Sequence, residues 1–334
     1  MKRDRRRLGE RSERAASERE TSAARARAKS AEAPSAHDAS SPVVGRTRAT
    51  WDAMRRELDE AGFRPARRLG QNFLLDENML RAIVRDAELP EDASVIEVGA
   101  GCGFLTVHLA RSGADVTSIE IDPRLLAIAR RWLAGERVRW IQGDALSSKN
   151  ALGAELDAAI PRTEPWHLVA NLPYSIAAPL LVLLAQHACP PTSMTVLVQR
   201  EVALRIVARP GTPDWGPLSI RLQLDYAPTL VRSVAAALFW PRPEVESCVV
   251  RLTRLPDTTS ADERAELDRL VSRLFQRRRQ ALGRVLAEVL HSRPATDVLL
   301  AELGLAPRAR AEDLELETLR RLSRAVSDRG AAES

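Results

Sequence analysis

The chain is poor in cysteine, in tyrosine and in long apolar runs, and each shortage removes a class of function. Three cysteines, Cys102, Cys189 and Cys248, stand far apart in 334 residues. An odd, scattered set gives neither a disulfide framework nor zinc-ligand spacing. Reduced, mostly buried thiols and no metal are expected. No apolar run reaches the ~20 residues of a membrane span, and the N-terminus has no apolar core of a secretory leader. A cytoplasmic protein with no membrane contact is expected. Aromatic residues make up 4% of the chain, with two tyrosines in all. None falls within residues 1–50, which are instead rich in Arg, Ala, Ser and Glu, as in "RSERAASERETSAARARAKSAEAPSAHDASSP". Such a segment buries too little apolar surface to offset its ordering entropy. It is expected to be a disordered basic tail, with transient helix near residues 10–30.

The charge is as uneven as the composition. Residues 1–50 carry 13 Lys/Arg and 7 Asp/Glu, a net of +6, and the rest carries 37 and 38, a net of −1. Basicity of the whole chain therefore says nothing about whether the folded part binds nucleic acid.

From Trp51 the pattern becomes regular. Trp51 to Gly62 reads as a short amphipathic helix, and residues 77–88 as a second, with Asp76 as its N-cap. Apolar strands then alternate with helical stretches. "SVIEVGAGCG" leads into "FLTVHLARSG", "DVTSIEID" into "PRLLAIARRWLAG", and "VRWIQGDAL" follows. "WHLVAN" leads into "APLLVLLAQH", and "MTVLVQ" into "REVALRIVA". This alternation predicts βαβ units, and so an α/β fold with a parallel sheet covered by helices on both faces. "TLVRSV" and "ESCVVRLTRL" predict an antiparallel edge. The strand signal stops near residue 258, and 258–334 read as a small helical domain after a sheet domain over 51–257.

"EVGAGCG" sets Gly99, Gly101 and Gly103 directly after a strand, where glycine permits a tight turn and close approach of backbone to ligand. The dinucleotide fingerprint fails, because Phe104 stands where its last glycine belongs. Glu97 also opposes a pyrophosphate. Glu120 ends the second strand, where a carboxylate can accept from ribose hydroxyls; Asp122 is the near alternative. Asp144 ends the third, within reach of an adenine amine. Carboxylates at successive strand ends describe a pocket for a nucleoside without phosphates and with a cationic end. S-adenosylmethionine has that character.

"NLPY", Asn171-Leu172-Pro173-Tyr174, ends the fourth strand at the same sheet edge. A plain turn with a core tyrosine would use these residues too. The alternative is a grip on a flat base with an exocyclic amine. The Asn171 side-chain oxygen and the Leu172 carbonyl would each accept one N–H, aiming the nitrogen lone pair at a methyl donor. Pro173 would hold that carbonyl in place, and Tyr174 offers a stacking face worth about 1–3 kcal/mol. Positioning of this kind corresponds to about 7–11 kcal/mol of barrier.

In order, "GQNFL" (70–74), "EVGAG" (97–101), "IEID" (119–122), "GDAL" (143–146), "NLPY" (171–174), "FWPRPEVESCVV" (239–250) and "LFQRRRQAL" (274–282) resemble the motifs of the ribosomal RNA adenine N6,N6-dimethyltransferases. The resemblance runs from about Arg64 to Val326 and is nearest to the bacterial small-subunit branch, linked to kasugamycin resistance. It implies a Rossmann-like class I methyltransferase that uses S-adenosylmethionine. The implied target is two adjacent adenines in the 3′-terminal hairpin loop of 16S rRNA, within an immature small subunit. A monomer is implied. So are cofactor contacts by Asn72, Leu74, Gly99, Gly101, Glu120, Asp144 and Asn171. Base contacts would come from Tyr174 and, on the other face, Phe239. RNA contacts are expected from Arg64, Arg67 and Arg68 and from Arg277, Arg278 and Arg279. Departures are modest: Ser175 where Asn is frequent, Ala100 where Pro is frequent, and Arg within "FQRRRQ" where Asn is common. The rival readings are a large-subunit rRNA adenine methylase of the antibiotic-resistance type, a DNA adenine methylase, and a non-catalytic RNA-binding assembly factor.

Overall fold

A computed structural model describes residues 48–60, 62–66, 70–256 and 259–332. The expected tail, apart from residues 48–50, lies outside these residues. A helix over Arg48–Glu60 opens the described chain. The next helix, Glu77–Asp86, starts where the Asp76 carboxylate accepts the Met79 N–H at 2.7 Å. That cap satisfies one of the donors a helix start leaves free.

Seven strands make the central sheet: β1 (Ser94–Val98), β2 (Asp115–Glu120), β3 (Val138–Gln142), β4 (Trp166–Asn171), β5 (Ser193–Gln199), β6 (Tyr226–Val234) and β7 (Ser247–Arg254). Their spatial order is β3-β2-β1-β4-β5-β7-β6. β1 to β5 are parallel, while β7 runs antiparallel to both β5 and β6. The helices Phe104–Arg111, Pro123–Trp132 and Ala177–Ala185 follow β1, β2 and β4. Chain order reverses between β1 and β4. At such a switch point the connections leave in opposite directions and open a crevice beyond the strand carboxyl ends.

Strand alternation splits the core in two. Val95, Val169, Leu197 and Val249 face the N-terminal helices with Met54, Leu58 and Ile83. Ile96, Leu168, Val196 and Val250 face Leu156, Leu180 and Ile206 on the other side. Both faces are covered, so the inner strands read as apolar runs. Four helices, Ala261–Gln276, Leu282–Val289, Arg293–Glu302 and Leu316–Ala332, gather around a third core. Trp215, Ile220 and Leu224 join it from before β6. Among the described residues no helix is long and apolar enough to cross a membrane.

Candidate active site

A cleft of about 870 Å3, partly open to solvent, occupies the crevice at the β1/β4 switch. Asn72, Leu74, Gly99, Gly101, Glu120, Asp144, Asn171, Leu172, Pro173 and Tyr174 all line it. The topology explains most of the gathering, because Gly99, Gly101, Glu120, Asp144 and Asn171 to Tyr174 each end or follow a strand at the same edge. The segment Gly70–Leu74 crosses this edge as a strap. Its last two residues pair antiparallel with Phe239–Trp240, Phe73 opposite Trp240 and Leu74 opposite Phe239.

Gly99 and Gly70 set the close approaches. Gly99 has φ +80°, and a Cβ there would come within 3.3 Å of the Pro173 ring. Gly70 has φ +62°, and a Cβ there would lie 3.0 Å from the Tyr174 nitrogen. The strap thus presses on the turn that holds Asn171 to Tyr174. The Asn171 Nδ2 donates to the Asn72 carbonyl at 3.1 Å. A carbonyl only accepts, so this bond fixes the amide orientation and leaves Oδ1 as the free end. Tyr174 is anchored at its hydroxyl, 2.8 Å from Ser247 Oγ. Burial raises its pKa above the ordinary phenol value, so it stays neutral.

Glu120 works on the protein as well as lining the cleft. It accepts from the Gly101 N–H at 2.7 Å and the Asp122 N–H at 2.9 Å, so it stitches the glycine loop to the end of β2. Burial raises its pKa, and those backbone donors oppose the shift. Asp122 points elsewhere: Arg124 takes both its oxygens and lowers its pKa. Glu97 is 1% exposed on the cleft floor. Its Oε2 accepts from Thr106 at 2.6 Å and Ser118 at 2.7 Å. Burial pushes it up to about 7 against the pull of those hydroxyls, and the Glu120 charge adds to the rise.

The lining holds Glu97, Glu120 and Asp144 but no Lys, Arg or His among the described residues. That charge pattern repels phosphates and suits a nucleoside with a cationic end. Gln71, also on this cleft, accepts the Ala66 N–H at its Oε1 at 2.7 Å, and its side chain helps to lower the pKa of Asp122. Ile121, 40% exposed, supplies an apolar surface at the rim. S-adenosylmethionine, with cation and flat base, fits this set of groups. Sequence reasoning had no signal for Gln71; an apolar residue between two acidic ones, as in "EID", was a signal for Ile121.

Phe239 departs from expectation. It is 5% exposed, packs in the core and is not among the residues that line the cleft. Arg64, Arg277, Arg278 and Arg279 do not line the cleft. Arg64 bonds Asp59 at 3.3 Å and the Phe63 carbonyl at 2.9 Å. Arg277 pairs with Glu288, and Arg278 with Glu312. Arg279 is exposed and has no ion pair among the described residues. Arg67 and Arg68 lie outside the described residues.

Comparison with known proteins agrees with this geometry. Residues 62–327 match the family model described as ribosomal RNA adenine dimethylase. The chain is similar to a ribosomal RNA small subunit methyltransferase A of Deinococcus radiodurans, 40% identical over 265 residues, 79% of this chain and 87% of that protein. A protein of the same name from Cutibacterium acnes is 38% identical over 291 residues, 84% and 94% of the two chains. Among solved structures, a dimethyladenosine transferase from Plasmodium falciparum has the same fold, with TM-score 0.63 and 24% identity over 76% of this chain and 96% of that one. The 23S rRNA methyltransferase ErmE gives TM-score 0.58 and 26% identity over 76% and 99%.

Proposed function

Because the chain belongs to the ribosomal RNA adenine dimethylase family, we propose that it dimethylates the N6 amines of two adjacent adenines in the 3′-terminal hairpin loop of small-subunit ribosomal RNA. The chain is an S-adenosylmethionine-dependent enzyme of ribosomal RNA. Small-subunit RNA is favoured over large-subunit RNA because the curated relatives at 38–40% identity are named for the small subunit. The working form in this reading is a cytoplasmic monomer acting on an immature subunit.

The observation that carries the chemistry is the bond from Asn171 Nδ2 to the Asn72 carbonyl at 3.1 Å. The donor end of the amide is spent on the protein, so Oδ1 faces the substrate as an acceptor. An adenine amine is a weak nucleophile because its lone pair is delocalised into the ring. Accepting its N–H bonds favours a pyramidal nitrogen with the pair freed. The Pro173 carbonyl is already taken by the Ile176 N–H at 3.1 Å. The Leu172 carbonyl is then the second acceptor, and Tyr174, held by Ser247, is the face for the ring. Glu120 and Asp144 would hold the nucleoside part of the methyl donor, with Asn72, Leu74 and the glycine loop around the rest. S-adenosylmethionine, when bound, supplies an electrophilic methyl group. The amine proton need not leave before transfer, so no strong base is required at Asn171. For the second methylation one N–H remains, and either Oδ1 or the Leu172 carbonyl suffices to orient it.

The test is a comparison of small-subunit RNA from cells with and without this protein, digested and analysed by mass spectrometry and position mapping. Two adjacent N6,N6-dimethyladenines should be missing from the knockout and restored by the purified enzyme. Their persistence in the knockout, or restoration of N6-monomethyladenine alone, would sink the reading.

A further inference from the structure

A second recess opens beside the target site on the same sheet edge, and the reaction above makes no use of it. It is about 760 Å3, open on one side, and lined chiefly by Gln199, Arg200, Leu204, Asp214, Val245 and Glu246. Strand register fixes its place. Leu197 on β5 is the partner of Asn171 on β4, and Gln199 lies two residues farther toward the carboxyl end. Strands lie about 4.8 Å apart and rise about 3.3 Å per residue, which puts the Gln199 Cα about 8 Å from that of Asn171. Gln199 is paired in turn with Ser247 on β7, the residue that anchors the Tyr174 hydroxyl at 2.8 Å. The recess therefore borders the strand pair that anchors the tyrosine proposed to face the target base. The Gln199–Asn171 separation is of the order of one nucleotide step in a splayed strand.

Its lining is specific in character. Val245 is 46% exposed, an apolar side chain left in water at the mouth. Leu204 is half-buried within. The exposed Arg200 side chain has no ion pair among the described residues, whereas Arg205 on the same helix is tied to Glu201. The Glu246 backbone holds the Arg200 N–H at 2.9 Å, so the two sides of the recess are joined at its base. Asp214, Glu201 and Glu246 add carboxylates, which rules against a bare anion as the occupant. An apolar shelf, carboxylate acceptors and one unpaired guanidinium suit a nucleobase with an exocyclic amine whose phosphate reaches the arginine.

We propose that this recess holds the nucleotide next to the target adenine on the same RNA strand. The inference rests on the reading of the Asn171 cleft as an adenine N6 site. Single-stranded RNA is recognised by splaying its bases into separate contacts. A grip on the neighbour would fix strand direction and choose which adenine enters the cleft.

The experiment measures methyl transfer to a synthetic hairpin RNA with a target adenine in its loop. Versions carry an abasic nucleotide on the 5′ or the 3′ side of the target. Wild type is compared with an Arg200→Ala/Val245→Ala double variant, both positions being exposed, and calorimetry with S-adenosylmethionine checks that the cofactor cleft is intact. For wild type, the abasic nucleotide on one side should lower kcat/KM about tenfold, the size expected of one stacked base. The double variant should be about tenfold slower on intact RNA and lose little more on the abasic RNA. Multiplicative losses, or no loss from either abasic RNA in wild type, would overturn the inference and leave the adenine reading standing. Failure of wild type to methylate the intact hairpin at adenine N6 would overturn both.

Discussion

Asn171 spends one end of its amide on the Asn72 carbonyl and leaves Oδ1 as the acceptor that the proposed reading gives to the adenine amine. Removing the acceptor should hurt the transition state more than the ground state. Asn171→Ala is expected to lower kcat by about 10²–10³, the usual loss for one preorganised polar group. Cofactor affinity measured by calorimetry should fall far less than turnover. Near-normal turnover would remove Asn171 from the mechanism. Glu97 presents a different case, because its carboxyl is buried and pushed up to about 7. An unfolded glutamate titrates near 4.3. Between those values the folded chain keeps a proton that the unfolded chain has released. Stability from this group is therefore complete below the unfolded value and is lost as pH rises through about 7, by about 3 kcal/mol. Glu97→Gln keeps an oxygen for the Thr106 and Ser118 hydroxyls and removes the titration. Urea midpoints between about pH 5 and about pH 8 should fall for wild type and stay flatter for the variant. Parallel profiles would count against this account.

The strap at Gly70–Leu74 is the element that runs along the cleft and holds the Asn171–Tyr174 turn. Gly70→Ala would place a Cβ against the Tyr174 backbone and force a left-handed alanine at a cost of about 1 kcal/mol. The strap should lift, the Asn72 carbonyl should leave Asn171, and kcat should drop at least about tenfold. Gly62→Ala is the control. Gly62 has φ +66° with nothing within 4 Å of its added Cβ, so it carries the same strain without the clash. It should lose stability and keep activity; equal kinetic damage in both variants would refute the role of the strap. Most of this element's neighbourhood was legible in the sequence. Gly99, Glu120, Asp144 and Asn171 each sit where an apolar run stops, and a parallel sheet brings such points to one edge. The pairing of Leu74 with Phe239 was not legible, because a two-residue bridge has no periodicity and its halves lie far apart in the chain. Phe239 took its base-stacking role from the family resemblance alone, with nothing local to show that the bridge buries it. The hydroxyls that hold Glu97 were hidden too: Ser118 meets it as its cross-strand partner on β2, and Thr106 reaches it from the helix after β1.

Across the whole molecule, the helical region is fastened to the sheet by charge as well as by apolar packing. Asp225, 2% exposed, pairs with Arg264 and accepts the Thr259 N–H at 2.9 Å. Arg264→Ala would strand a buried carboxylate, at about 3–5 kcal/mol by analogy with other broken buried pairs. An additional Asp225→Asn change removes the charge, keeps an acceptor for Thr259 and should restore much of the loss in urea denaturation. A cost below about 1 kcal/mol for Arg264→Ala would make this an ordinary surface pair. A core shared by Trp215, Ile220 and Leu224 with Leu267, Leu270 and Leu274 adds to the fastening. The helix Pro217–Gln223 behind that sharing is seven residues long, too short for its period to stand out. The two-residue bridge has a consequence of its own at this scale. It ties the strap, which borders the cleft proposed for the methyl donor, to the loop from Trp240 to Val245 that leads to the recess proposed for RNA; Leu75 N–H to the Leu238 carbonyl at 3.0 Å reinforces it. A ligand that steadies one end steadies the other, so donor and RNA should bind cooperatively. Thermodynamic reciprocity then requires each to tighten the other by the same factor. Titrating S-adenosylhomocysteine with and without hairpin RNA, and the RNA with and without the nucleoside, would measure that factor twice.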